Sequence, residues 1–228
     1  MAVWAGLAGV ATVCGAVLVV VAVVATRRLW FGGYISEAGV ASSGQAGLYR
    51  VGILGLAVGQ VLLGAALLVR VRPRWVGALL VAAGVFGVGS AGVPCSEGCP
   101  LPPHDTPTAV DLVHAGVSIA AVAAVSLAIL ALALLTEPVA LARWTALGER
   151  WTGWLPVTAR GLTGLVGPSR LAALTVVPLV ALDGVAILAL GRGHVTGLLE
   201  RAVLIGATVW TLAMCRRLAA PEPSSYPD

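Results

Sequence analysis

A polar segment interrupts the apolar chain between residues 92 and 116, where the sequence is GVPCSEGCPLPPHDTPTAVDLVHAG. Within it, Asp111 and His114 are three residues apart, which places them on one face of a helix. A carboxylate beside an imidazole can orient the ring and raise its basicity, as in many acid–base catalysts. The pair is therefore a candidate catalytic and ligand-binding site. In the alternative interpretation, Asp111 stabilises the positive end of the helix dipole and His114 bonds a backbone group near the membrane boundary.

The same segment holds Cys95 and Cys99, which are separated by three residues that include Gly98. A tight turn at the glycine can bring the two sulfurs together, and an external segment favours oxidised thiols. We therefore predict a disulfide. A zinc site of Cys95, Cys99, His104 and His114 is a rival, and free thiols are a third possibility. The segment lacks the paired two-residue spacings of zinc ribbons, so no metal is predicted.

One acid lies far inside an apolar segment. Asp183, in VPLVALDGVAIL, is about eight residues from the nearer end of that segment, which corresponds to roughly 12 Å of helix. Charged groups at such a depth are costly and usually face the interior of a bundle, where they mark a site or a pathway. Asp183 is thus a candidate ligand-binding residue. Alternatively, it hydrogen-bonds Ser90 or Gln60 and only holds helices together.

Two further candidates lie near the ends of apolar segments. Glu37 follows Ser36, which could cap a short helix, and Glu37 could face the same pocket as Asp111. Arg201 follows Glu200 in GLLER, and adjacent residues point about 100° apart on a helix, so the two side chains do not face each other. Glu200 would complement the helix dipole, while Arg201 would contact lipid headgroups or reach an acid on a neighbouring helix.

The composition excludes a water-soluble fold. Hydrophobic residues make up 59% of the 228 residues, charged residues 11%, and the mean hydropathy is +0.98. Such a chain has too few polar residues to cover a soluble domain. All 14 basic residues are arginines, and the net charge of +4 is too small and too scattered to predict nucleic-acid binding. Membrane lipids are the predicted partners, with the arginines at their headgroups.

Six segments are apolar and long enough to cross a bilayer, which requires roughly 20 residues per helix. They cover about residues 3–26, 51–69, 76–93, 112–135, 171–190 and 198–215. We predict an all-α polytopic membrane protein, a six-helix transmembrane bundle that forms one domain over residues 1–218 and is followed by a disordered tail at 219–228. The first segment has neither a basic start nor a small-residue cleavage site, so we expect a retained span rather than a signal peptide.

The distribution of arginines predicts the orientation. With both termini in the cytoplasm, nine arginines lie on the inner side and five on the outer side, which agrees with the positive-inside rule. The segment 92–116 is then external. On the inner side, arginines and tryptophans recur at near two-turn intervals over residues 137–168, a pattern typical of a helix in the membrane interface. We predict a multi-pass protein of the cell membrane.

Four short motifs resemble those of a known family. LWFGGYISEAG follows the first span, AGLYRVGI enters the second, DLVH leads from the proline- and cysteine-rich segment into the fourth, and GLLERAVL enters the last. Together they resemble the bacterial multi-pass membrane family known as domain of unknown function 998, over nearly the whole chain. The resemblance implies six membrane helices and no established activity, so it assigns no catalytic residue.

Three classes of function stay open. The leading prediction is a membrane protein without catalytic activity that binds a lipid, a small molecule or a protein partner in an outward-facing polar pocket. Its predicted lining residues are Glu37, Asp111, His114, Asp183 and Arg201. The second class is a membrane-embedded lipid hydrolase or transferase, and the third is a small proton-coupled transporter that uses Asp183.

The hydrolase would use His114 as the base, with Asp111 orienting it, and Ser36, Ser96 or a metal-bound water as the nucleophile. The chain lacks the Gly-x-Ser-x-Gly and His-Glu-x-x-His motifs, which disfavours this class. No cofactor is predicted, because three histidines near the outer surface offer just one plausible axial pair for haem. A six-helix unit of this size could also form a homo-oligomer.

Overall fold

The computed structural model describes residues 2–26, 32–71, 74–135 and 163–220, and every regular element within them is a helix. This confirms the all-α prediction. A 3₁₀ helix, Ile35–Gly39, precedes the second of six long helices. The long helices are α1 (Ala2–Ala25), α2 (Ala46–Arg70), α3 (Trp75–Gly92), α4 (Ala109–Leu135), α5 (Thr163–Leu190) and α6 (His194–Ala219).

All six long helices are long and apolar enough to span a membrane. Large apolar side chains cover their outer faces; Val3, Leu174 and Val185, for example, are 71%, 78% and 63% exposed. Such a surface is unfavourable in water and stable in the hydrocarbon of a bilayer. The chain is therefore a multi-pass membrane protein.

The six helices form a closed ring in chain order. Each packs against the next along the described chain, α1 packs against α6, and α2 also contacts α6 across the ring. Three connections lie together at one end of the bundle: residues 32–45, 93–108 and 191–193. We call these three segments the cap. The connection between α2 and α3 lies at the opposite end.

Several helix ends differ from the predicted spans. α2, α4 and α6 begin at residues 46, 109 and 194 instead of 51, 112 and 198, and α6 continues to residue 219, which was expected in the tail. The predicted spans follow the most apolar stretches. The helices are longer because their backbone hydrogen bonds also include residues outside those stretches. α5 begins at Thr163 instead of 171, and Pro168 and Pro178 both lie inside it.

Two predictions concern segments that lie largely outside the described residues. Of the predicted interfacial segment 137–168, residues 137–162 lie outside the described residues. The predicted disordered tail lies outside them beyond residue 220.

α1 and α2 pack with their backbones in contact. A Cβ added to Gly15 would lie 2.5 Å from the Leu56 nitrogen and 2.7 Å from the Gly52 carbonyl oxygen. From the other side, a Cβ on Gly55 would lie 2.8 Å from the Gly15 Cα. Small residues at these positions allow membrane helices to approach closely. The position of α1 in the ring is therefore set by α2.

Polar side chains connect helices inside the bundle. Gln60 Nε2 donates to Thr211 Oγ1 at 2.9 Å, which links α2 to α6. The hydroxyls of Ser90 and Ser118 are 2.8 Å apart and link α3 to α4. Ser90 and Gln60 were alternative partners for Asp183, but Asp183 Oδ1 is buried without a hydrogen-bond partner among the described residues.

Candidate functional site

The first and last segments of the cap are joined through their backbones and side chains. The Gly33 nitrogen donates to the Gly193 carbonyl oxygen at 3.2 Å. Ser36 Oγ donates to Cys99 Sγ at 3.2 Å, which connects the first segment to the second. The His104 Nε2 atom lies 3.1 Å from the Leu188 carbonyl oxygen at the end of α5. The cap is thus one connected structure rather than three separate loops.

The predicted disulfide is present. Cys95 and Cys99 are paired, with Cα atoms 5.1 Å apart, and Gly98 provides the turn with a φ of +79°. Both cysteines are buried and pack against Tyr34 and Val40 of the first cap segment. Among the described residues, no group of three or more His, Cys, Asp and Glu side chains converges in a metal-binding arrangement. The disulfide therefore provides the surface on which the first cap segment packs.

Glu37 connects the first cap segment to the third. Arg192 donates to both of its carboxylate oxygens, from Nε at 2.6 Å and from Nη2 at 2.7 Å. The Tyr34 nitrogen donates to Glu37 Oε1 at 2.8 Å, which satisfies the start of the 3₁₀ helix. The hydrogen bond to Glu37 raises the pKa of Arg192. Ser36 was expected to precede this short helix and to bond its first turn, but it lies inside the helix.

Tyr34 is buried at the centre of the cap. Burial, followed by the negative charges of Glu200 and Asp105, raises the pKa of Tyr34 to about 12. Asp183 and Glu37 act on the same hydroxyl through their charges. The tyrosine is therefore protonated at neutral pH.

Asp111 is 2% exposed and holds the start of α4 against the disulfide segment. Its Oδ1 accepts hydrogen bonds from the Ser96 nitrogen at 2.6 Å and from Ser96 Oγ at 2.8 Å. Its Oδ2 accepts from the Thr108 nitrogen and Oγ1 at 2.8 and 2.7 Å, and its own nitrogen donates to Thr108 Oγ1 at 3.3 Å. Thr108 and Asp111 thus form a capping box. The Thr-x-x-Asp spacing in TAVD is typical of a capping box, although the pair was not predicted as one.

His114 has a backbone partner. Its Nδ1 atom lies 2.6 Å from the Val93 carbonyl oxygen, at the end of α3, and the residue is 6% exposed. The last carbonyls of a helix have no partner within it, so a nearby ring N–H satisfies one of them. The expectation that Asp111 orients His114 does not hold, because Asp111 bonds Ser96 and Thr108 instead. The structure agrees with the alternative interpretation, in which Asp111 stabilises the start of the helix and His114 bonds a backbone group.

A groove opens between α1 and α6 directly below the cap. Its volume is about 330 Å³, near the lower end of the range of roughly 300–1,000 Å³ for small-molecule sites. It is lined by seven apolar residues and one charged residue: Val19, Val20, Val23, Val24, Ile35, Arg201, Leu204 and Ile205. Val20, Val24 and Ile205 are 56%, 50% and 62% exposed on the outer faces of their helices. The groove therefore opens toward lipid.

The guanidinium of Arg201 lies at the cap side of this groove. Arg201 Nη1 donates to the carbonyl oxygen of Gly197, one helical turn nearer the cap, and lies 3.4 Å from the carbonyl oxygen of Gly33 in the cap. Leu204 and Ile205 lie on the following turn of α6, farther from the cap. Long basic side chains in membrane helices commonly extend toward the interface in this way. The end of the groove next to the cap is thus charged, and the rest of the groove is apolar.

Ile35 forms the wall between the groove and the cap. Its nitrogen donates to Glu200 Oε2 at 2.7 Å, which fixes the 3₁₀ helix to α6. Its side chain packs with Val19 and Ala22 of α1. Glu37, two residues further along the same short helix, is held by Arg192. The cap therefore determines the shape of the groove.

The five predicted ligand-binding residues do not share one pocket. Arg201 lines the groove, Glu37 binds Arg192 in the cap, Asp183 lies within α5, and Asp111 and His114 hold the start of α4. Asp183 Oδ1 is buried without a hydrogen-bond partner among the described residues. The valines of the groove were not predicted, because nothing in an apolar run indicates which helix it will face.

No known family model matches this chain, and neither a curated protein nor a solved structure matches it. The resemblance to domain of unknown function 998 therefore stays a prediction.

Proposed function

We propose that this protein binds a membrane lipid, with an acyl chain in the groove between α1 and α6 and the headgroup at the cap. The observation that carries the proposal is the combination of a lipid-facing apolar groove with a guanidinium at one end of it. A lipid has the same order of groups, since its apolar chains begin at a polar headgroup. The proposed role is that of a binding protein without catalytic activity.

The depth of Arg201 agrees with this arrangement. Arg201 is seven residues after His194, so its Cα lies about 10 Å along α6 from the helix start. The hydrogen bond to Gly197 brings the guanidinium one turn nearer that start. This is the depth at which headgroups meet the hydrocarbon of a bilayer. The groove below extends into the hydrocarbon region.

We further propose that the cap faces the outside of a bacterial cell membrane and that both termini are cytoplasmic. The arginine count supports this orientation. The Cys95–Cys99 disulfide supports it independently, because disulfides persist in oxidising surroundings and are rare in the cytosol. The lipid would then come from the outer leaflet.

Filling the groove should remove the bound lipid. We expect Val20→Trp to reduce lipid retention by about tenfold, because the indole would occupy the space of the acyl chain. Native mass spectrometry of the detergent-purified protein measures the fraction of molecules that carry one lipid. Val10→Trp is the matched control, since Val10 lies on the same helix, is 62% exposed against 56% for Val20, and does not line the groove. Equal retention by the two variants would refute the proposal.

A second candidate function is proton transport through Asp183. The observation that favours it is the buried Oδ1 atom without a hydrogen-bond partner among the described residues, because intramembrane acids commonly belong to proton pathways. We expect Asp183→Asn to abolish proton entry into reconstituted vesicles at an imposed membrane potential, measured with an enclosed pH-sensitive dye. Protein-free vesicles are the control. If wild-type and Asp183→Asn vesicles acidify at the same rate, this candidate is eliminated.

A further inference from the structure

We infer that the lipid held in the groove is an anionic phospholipid and that Arg201 binds its phosphate. This inference rests on the proposed function and names the ligand class of the same site. The charged residue of the groove is an arginine at the level of the headgroups. The planar guanidinium matches the geometry of phosphate oxygens, and such charge-assisted pairs are stronger than neutral hydrogen bonds.

Two other described arginines near the cap do not line the groove. Arg192 makes two hydrogen bonds with Glu37, and Arg50 donates twice to the Gly39 carbonyl oxygen. Arg201 lines the groove, so among the described arginines it is the one that a lipid in the groove would meet.

The phosphate belongs to a lipid rather than to a free ion. The groove below Arg201 is apolar and opens on the lipid-facing side of α1 and α6. A free phosphate would gain the charge interaction alone, whereas a phospholipid also fills the apolar space. Inorganic phosphate should accordingly fail to displace the bound lipid.

The test compares two lipids with the same acyl chains, phosphatidylglycerol and phosphatidylcholine, titrated into the delipidated full-length protein and measured by native mass spectrometry. The wild-type protein should bind phosphatidylglycerol more tightly. Arg201→Gln should weaken that binding about fivefold, the factor that corresponds to about 1 kcal/mol for one arginine near an anionic surface. Binding of phosphatidylcholine should fall by a smaller factor, because its phosphate is the same but its choline cation offsets the negative charge. Arg201→Lys should retain part of the preference.

The outcomes separate this inference from the function on which it rests. If the wild-type protein binds both lipids equally and Val20→Trp abolishes both, the groove binds lipid and the inference of an anionic lipid is wrong. If Val20→Trp affects neither lipid, the proposed function itself fails. Displacement of phosphatidylglycerol by millimolar inorganic phosphate would contradict the assignment to a phospholipid. The wild-type comparison needs no variant, so it decides the question even if Arg201→Gln does not fold.

Discussion

Asp111→Ala is expected to lower the free energy of unfolding by about 3 kcal/mol. The substitution removes a buried carboxylate that accepts hydrogen bonds from Ser96 and Thr108. It leaves the Ser96 N–H without that acceptor and opens the capping box of α4. Because the bonded acceptor is charged, each lost bond costs more than one between neutral groups. The thermal unfolding temperature in detergent measures the effect.

Asp105→Ala is the matched control, since Asp105 lies in the same cap segment and is exposed. We expect that variant to unfold within about 0.5 kcal/mol of the wild type. Asp111→Asn should fall between the two, because an amide keeps one acceptor oxygen and loses the other. If Asp111→Ala and Asp105→Ala unfold at the same temperature, Asp111 does not hold the cap.

Gly15→Val is expected to separate α1 from α2 and to destabilise the fold by about 3 kcal/mol. A Cβ at this position would already lie 2.5 Å from the Leu56 nitrogen. That nitrogen belongs to the backbone of α2, so it cannot move away by a side-chain rotation. The added methyl groups enlarge the overlap. Because α1 also forms one wall of the groove, lipid retention should fall together with the unfolding temperature.

The control is the same substitution at Gly6, also in α1, where an added Cβ meets no described atom within 4 Å. Gly6→Val should be close to neutral, because valine has a somewhat better helix propensity than glycine. Gly15→Val and Gly6→Val add the same side-chain volume. They differ in their surroundings, because position 15 faces the backbone of α2 and position 6 faces no described atom within 4 Å. Similar losses of stability in both would show that the close approach of α1 and α2 is not what the packing depends on.

Three acids at the cap end of the bundle accept hydrogen bonds from the backbone of the cap. Asp111 accepts from the Ser96 nitrogen, Glu37 from the Tyr34 nitrogen, and Glu200 from the Ile35 nitrogen. Cap segments lack the regular hydrogen bonds of helices, yet their buried N–H groups still need acceptors. Carboxylates supply these acceptors. This explains the positions of these three acids among the described residues.

The fold could be predicted further than the site. Long apolar runs identify membrane helices because length and hydropathy are local properties, and the Cys95–Cys99 turn is local as well. Pairing between α1 and α6 joins the two ends of the chain, and no local pattern encodes it. Val20 and Ile205 therefore looked like any other lipid-facing residues. Arg201 was predicted as a headgroup contact, but its groove became visible in the packed bundle.

The central claim is that a lipid chain occupies the groove between α1 and α6, and photocrosslinking tests it most directly. A phospholipid with a diazirine in its acyl chain would be bound to the full-length protein, activated by light, and located by peptide mapping. We expect saturable crosslinks on residues 19–24 of α1 and 204–205 of α6, which Val20→Trp removes and Val10→Trp preserves. Crosslinks spread evenly over the outer faces of all six helices, and unchanged in Val20→Trp, would contradict the account.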